Sequence, residues 1–197
     1  MEIGLTDGTL QISIEEIADV ITRIGNHIKK ERNALCINLE IINTSLKDWY
    51  DEMANKYQEW IRNDMKADSA EIDFILKCLW ESDRKSITEK SLAFLYNLDK
   101  LYRNGELKED IRDKLDINEI SKARTSLNEF MKVAMDRKRQ WINQAEQKEQ
   151  IQKSDIFNWI SELDNHRKTI NVYLSTTTQN LRCQPISREE LENLRTL

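Results

Sequence analysis

Residues 13–42 read SIEEIADVITRIGNHIKKERNALCINLEII. Ser13 and Glu16 have the spacing of a capping box, in which the hydroxyl accepts an orphan amide at a helix start and the carboxylate reaches back. Behind that cap Ile14, Ile17, Ile21, Ile24 and Ile28 recur at steps of three and four residues, which is a heptad seam. The seam runs on through Leu35 and Ile42, with Glu31 and Asn38 as polar interruptions. It then slips by about one residue into Leu46, Trp49, Met53, Tyr57 and Trp60, as a stutter does. Nothing before Asp68 breaks this pattern unless Gly25 bends it, so the spacing predicts a first long helix over 13–67. Positions 14–66 of such a helix would span roughly 80 Å.

The same signals organise the rest of the chain. Residues 68–115 read as an insert of about three short helices. Asp68 and Glu71 open the first, which carries Ile72, Ile75, Leu76 and Leu79 and ends near Trp80. Ser86 and Glu89 cap the second, which carries Leu92, Leu95, Leu98 and Tyr102. Asn104-Gly105 stops it, because both residues tolerate the left-handed conformation. A short third piece holds Leu107, Ile111 and Leu115. Asp116 and Glu119 then open a second long helix over 116–183, whose seam includes Ile120, Leu127, Ala134, Trp141, Trp159, Leu163, Ile170 and Leu181. Around Gln147–Lys153 that seam is poor, so slackness or a change of phase is expected there. Pro185 ends the helix, and Ser187 with Glu190 caps a last short helix within 184–197. Residues 1–12 read as a flexible N-terminal tail.

These elements predict an all-α fold: an elongated antiparallel coiled-coil hairpin of two long helices with a small helical insert between them. Its simplest register sets Ile42 against Trp141 and Ile24 against Trp159, with Glu31 within a turn of Lys148.

Composition narrows the function. The 197 residues include 4 glycines and 1 proline, about one-fifth of the usual share. Glycine-rich phosphate loops and dinucleotide-binding turns need more glycine than this, at fixed places. A net charge of −5 argues against nucleic-acid binding. The first 68 residues carry −5 and residues 116–197 carry +1, so the two ends are weakly complementary. Three cysteines, Cys36, Cys78 and Cys183, show no CxxC spacing, and reduced thiols are the default expectation. No apolar run has the length of a membrane span, and the first residues lack the pattern of a cleaved signal peptide. The expected location is the cytoplasm, or outside it by export without such a peptide.

No catalytic, cofactor-binding or metal-ligating set emerges. His27 and His166 lack the Glu-x-x-His partner that metal sites in helical bundles use: position 24 is Ile and position 163 is Leu. The paired acids Glu15-Glu16 and Glu189-Glu190 suit first turns of helices, where carboxylates favour the dipole. Arg137-Lys138-Arg139, followed by Trp141, is the most basic stretch; it reads as a solvated helix face or as an anionic contact, to a phosphate or an acidic partner. Trp80 reads as core or as an interface anchor, a role in which tryptophan is enriched. The candidate interaction residues are therefore Glu31, Asn38, Trp80, Arg137, Arg139 and Lys148.

The expected function is that of a non-enzymatic helical interaction protein. It would be a coiled-coil scaffold or assembly subunit that contacts a protein partner or itself, without cofactors. An alternative rests on layout. A short polar start, a long helix, an insert and the arm DINEISKARTSLNEFMKVAMDRKRQWINQAEQKEQIQKSDIFNWI (116–160) resemble the hydrophilic needle-tip and filament proteins of type III secretion systems. That resemblance implies an exported subunit of a secretion apparatus.

Overall fold

A computed structural model of the chain describes residues 2–6, 10–28, 32–62, 82–147, 153–184 and 189. Among them are a two-stranded sheet, β1 (Glu2–Thr6) and β2 (Leu10–Ser13), and six helices. The helices are α1 (Ile14–Gly25), α2 (Arg32–Arg62), α3 (Ser82–Arg103), α4 (Glu109–Arg112), α5 (Ile117–Glu146) and α6 (Lys153–Asn180). The protein is helical, as the periodicity predicts, but its long segments are divided and closed differently from a two-helix hairpin.

The first departure precedes α1. Residues expected as a flexible tail pair antiparallel, Glu2 with Ser13 and Ile3 with Ile12, with an irregularity between Gly4 and Thr6. Ile3, Leu5, Leu10 and Ile12 alternate with polar or small residues on either side of Asp7-Gly8. Period-two alternation around Asp-Gly is a hairpin signal. The chain changes periodicity at Ser13, the capping-box position.

The second departure is at Gly25, where α1 ends. His27 N–H donates to the Ile24 carbonyl at 2.9 Å, a tightened last turn. A β-carbon on Gly25 would lie 3.4 Å from Asn38 Nδ2 and 3.5 Å from Phe94 Cδ2, so three helices converge on this residue. Asn38, two turns into α2, donates to the Ile21 carbonyl at 3.1 Å, which shows α2 running back along α1. The expected helix over 13–67 is thus two helices folded on each other.

The third departure divides the expected helix over 116–183. α5 and α6 lie antiparallel side by side. Trp141 meets Trp159 edge-to-face at 4.7 Å, Trp159 Nε1–H points at the Val133 carbonyl at 3.4 Å, and Lys122 Nζ lies 5.8 Å from the Tyr173 ring. Residues 146–154 contain Ile151 as their sole aliphatic residue, so a continuous helix there would bury almost nothing.

With both long segments doubled back, the helices close into a ring in which α1 packs on α2, α2 on α6, α6 on α5, α5 on α3, and α3 on α1. β1 packs on α2 and β2 on α1. Trp49 of α2 reaches across the ring to Phe130 of α5, edge-to-face at 4.7 Å. Between α2, α5 and α6 the packing leaves a cavity of about 10 Å³, lined in part by Trp49, Met53 and Leu163, about the room one water needs. Along the α2–α6 interface the observed partners are Cys36 with Cys183, Tyr50 with Arg167, and Tyr57 with Phe157. They replace the expected register, since Trp141 pairs with Trp159 instead of Ile42. The Cys36–Cys183 disulfide, with Cα atoms 5.6 Å apart and a sequence separation of 147, also overturns the expectation of reduced thiols at those two positions. The expected first insert helix, Cys78 and the expected C-terminal helix lie outside the described residues.

Helix ends follow their local chemistry. Asp116 Oδ1 accepts the Asn118 N–H at 2.9 Å and caps α5. α3 ends in a Schellman motif, in which Glu106 N–H reaches the Leu101 carbonyl at 2.9 Å and Gly105 N–H the Tyr102 carbonyl at 3.1 Å, with Gly105 at φ 69°. α6 ends the same way: Cys183 N–H reaches Thr178 and Arg182 N–H reaches Gln179, each at 3.0 Å. Here the left-handed residue is Arg182, at φ 53°. A β-carbon in that conformation costs about 1 kcal/mol. Gly105→Ala should therefore lower unfolding stability by about 1 kcal/mol, and Arg182→Gly should raise it by a similar amount, both read by urea melts followed by circular dichroism.

Candidate interaction surface

The end of the bundle where α5 stops and α6 begins is one of the places where apolar side chains reach water. Four large apolar residues stand exposed among the described ones: Tyr96 (61 %), Ile142 (41 %), Phe157 (51 %) and Val172 (60 %). Ile142 and Phe157 are both within two turns of the end where α5 stops and α6 begins. Neighbouring indoles explain their outward position. Trp141 and Trp159 fill the core there, and on a helix the residues at i+1 and i−2 face away from a buried one. Phe157 meets the Tyr57 ring of α2 at 5.8 Å. Beside them, the outer face of α5 presents Asp136, Arg139, Gln140, Ile142, Asn143 and Glu146 on one open surface. Arg137 Nη1 donates to Gln140 Oε1 at 3.1 Å on the same face.

Of the residues singled out from sequence, Arg137 and Arg139 lie exposed on this part of α5. Glu31, Trp80 and Lys148 lie outside the described residues. Asn38, a polar interruption of the seam, is fully buried, and its Nδ2 donates to the Ile21 carbonyl of α1. Phe157, Tyr57 and Ile142 were not singled out for contact. A signal existed, since Ile156-Phe157 and Trp141-Ile142 are adjacent apolar pairs, and one helix face cannot centre both members of such a pair.

Charge elsewhere is used to fasten helices together. Asp99 on α3 accepts from Arg103 Nε at 2.9 Å and from Arg124 Nη1 of α5 at 3.4 Å, and Arg124 also lies 5.5 Å from the Tyr96 ring. Asp164 on α6 holds Arg167 at 2.8 Å and Lys168 at 3.0 Å, while the Arg167 guanidinium covers the Tyr50 ring of α2 at 5.0 Å. Both carboxylates are nearly buried, which strengthens each attraction relative to water. No group of three His, Cys, Asp or Glu side chains among the described residues is arranged to hold a metal ion. No described helix is long and apolar enough to cross a membrane.

Comparison of the chain with protein-family models, with curated proteins and with solved structures finds no match.

Glu40 stands apart from these paired acids. It is half-buried among the apolar turns of α2, and desolvation raises its pKa above the ordinary carboxylate value. A group whose folded pKa is raised favours the folded state while it is protonated. That contribution is present below the unfolded-state pKa and is lost as pH rises through the folded one. Glu40→Gln should remove this loss. The variant should gain stability relative to the parent as pH rises from the acid range to neutrality, and match it more closely in acid. Thermal melts across that range measure the difference.

Proposed function

We propose that this protein is a helical interaction protein, an assembly subunit or scaffold that docks a protein partner at the α5–α6 end of its bundle. One observation carries the proposal: Phe157, half exposed and in tilted contact with the Tyr57 ring, sits at the same end as Ile142 and the exposed cations of α5. Interface centres are built from aromatic anchors, with arginines enriched beside them. Phe157 leaves half its surface in water although its neighbours Ile156 and Trp159 are buried. Apolar area held in water is area a partner can cover. Arg137 and Arg139 would steer an acidic partner to the site more than they would hold it there. The interaction differs from the coiled-coil pairing expected from sequence, because the seams themselves are consumed inside the ring.

Phe157→Asp should weaken association by at least about tenfold, and Arg139→Glu should slow it and reduce its salt dependence. Val172→Asp, on exposed α6 surface away from this end, should leave association unchanged. Sedimentation of the full chain, alone and with any protein that co-purifies with it, gives the affinities. All three variants should retain the parent's melting temperature. The proposal fails if the chain stays monomeric without a stable partner, or if association is indifferent to Phe157.

A further inference from the structure

Cys36 and Cys183 enclose most of the bundle between them. From the second turn of α2 to the end of α6 the chain lies within the loop their disulfide closes, and the sheet and α1 lie outside it. Cys36 is 3 % exposed, within a part of α2 that is buried on all sides. Cys183 follows the left-handed Arg182 and packs partly buried against the core, its amide held by Thr178. We propose that this bond is a permanent clamp, made by exchange with an external disulfide in an oxidising compartment, and that the protein works there and not in the reducing cytosol.

Burial dictates the order of the chemistry. Thiol–disulfide exchange needs a thiolate to approach a sulfur, and Cys183 is the reachable one. Its thiolate attacks the external disulfide and expels one external thiolate, leaving a mixed disulfide on Cys183. Docking of the α6 end then brings Cys36, whose thiolate attacks Cys183 Sγ and expels the second external thiolate. Two cysteine thiols are oxidised, the external disulfide is reduced to two thiols, and the two cysteine protons pass to those thiols. Once closed, the bond can be reduced only through Cys183 or after the α6 end opens. Sensor and catalytic cysteines are accessible and poised for reaction, whereas a bond with one sulfur in the core and a long enclosed loop has the character of a structural cross-link. Such bonds persist where thiols are oxidised. Of the two locations expected from sequence, the clamp favours export.

The test counts thiols in the full chain as its producing cells make it. Cells and medium are quenched in acid, and the protein is alkylated in denaturant with N-ethylmaleimide and weighed intact. One alkylated cysteine is the expected result, mapping to Cys78 after digestion. Reduction of the purified protein should then lower its melting temperature by on the order of 10 °C. A Cys36→Ser/Cys183→Ser chain should melt at the lowered temperature and ignore reductant. Three alkylated cysteines in the quenched protein would overturn the proposal, as would a melting temperature that reduction does not move. The thiol count needs no variant, so it decides even if the double variant fails to fold.

Discussion

Residues 34–39 of α2 are buried without interruption. Successive residues on a helix are about 100° apart, so six in a row cover every side of it. A helix apolar all round can be stable in water only when surrounded, and the rest of the bundle is arranged to surround this one. α1 folds back over it, α6 lies along it, and β1 packs against it. Further along, the buried set thins to Leu46, Trp49 and Met53, one side only. There α2 becomes an ordinary amphipathic helix facing α6 and, through Trp49, Phe130 of α5.

Surrounding a central helix requires the chain to reverse, and the reversals explain why neither long segment is continuous. α1 must stop for α2 to lie back on it, and Gly25 is where the two can approach closely, with Asn38 and Phe94 in contact distance of its missing side chain. Asn38 then fixes the register of α1 on α2 with one buried hydrogen bond to a backbone carbonyl. Misplacing either helix would strand that amide, a penalty of about 1–3 kcal/mol. The two charged clusters at Asp99 and Asp164 do the same for α3 on α5 and α6 on α2, each adding an arginine over an aromatic ring.

Much of this was readable one element at a time. Asn104-Gly105 ends its helix as its left-handed preference predicts, Asp116 caps α5, and Gly25 is the break in the first arm. What failed was the step from elements to assembly. A heptad seam describes one contact face, whereas residues 34–39 have no free face, and that difference turns a hairpin arm into a central helix. Polar residues in a seam were read as points for partners. Asn38 shows another use, in which the amide nitrogen donates to a neighbouring backbone carbonyl inside the core while Oδ1 has no partner among the described residues. The disulfide had no local signature, because cysteines 147 residues apart are joined by topology and not by spacing. Phe157 was hidden by its neighbours: one apolar residue too many on a turn is visible only once the face of Ile156 and Trp159 is known.

The α2–α6 pair ties these features together. At one end Cys36 is bonded to Cys183, and at the other the Tyr57 ring meets that of Phe157. Twenty-one residues of helix separate Cys36 from Tyr57 in sequence, roughly 30 Å of α2. The cross-link therefore fixes the end that holds the buried turns, while at the far end Tyr57 and Phe157 are in ring contact. In between, Arg167 over Tyr50 and Trp49 on Phe130 keep the helices in register. A bundle fastened at one end can present an aromatic surface at the other without losing its core when that surface is covered or uncovered. Local openings draw on the least stabilised parts of a fold. On the side away from the disulfide, Ile142 and Phe157 are already in water.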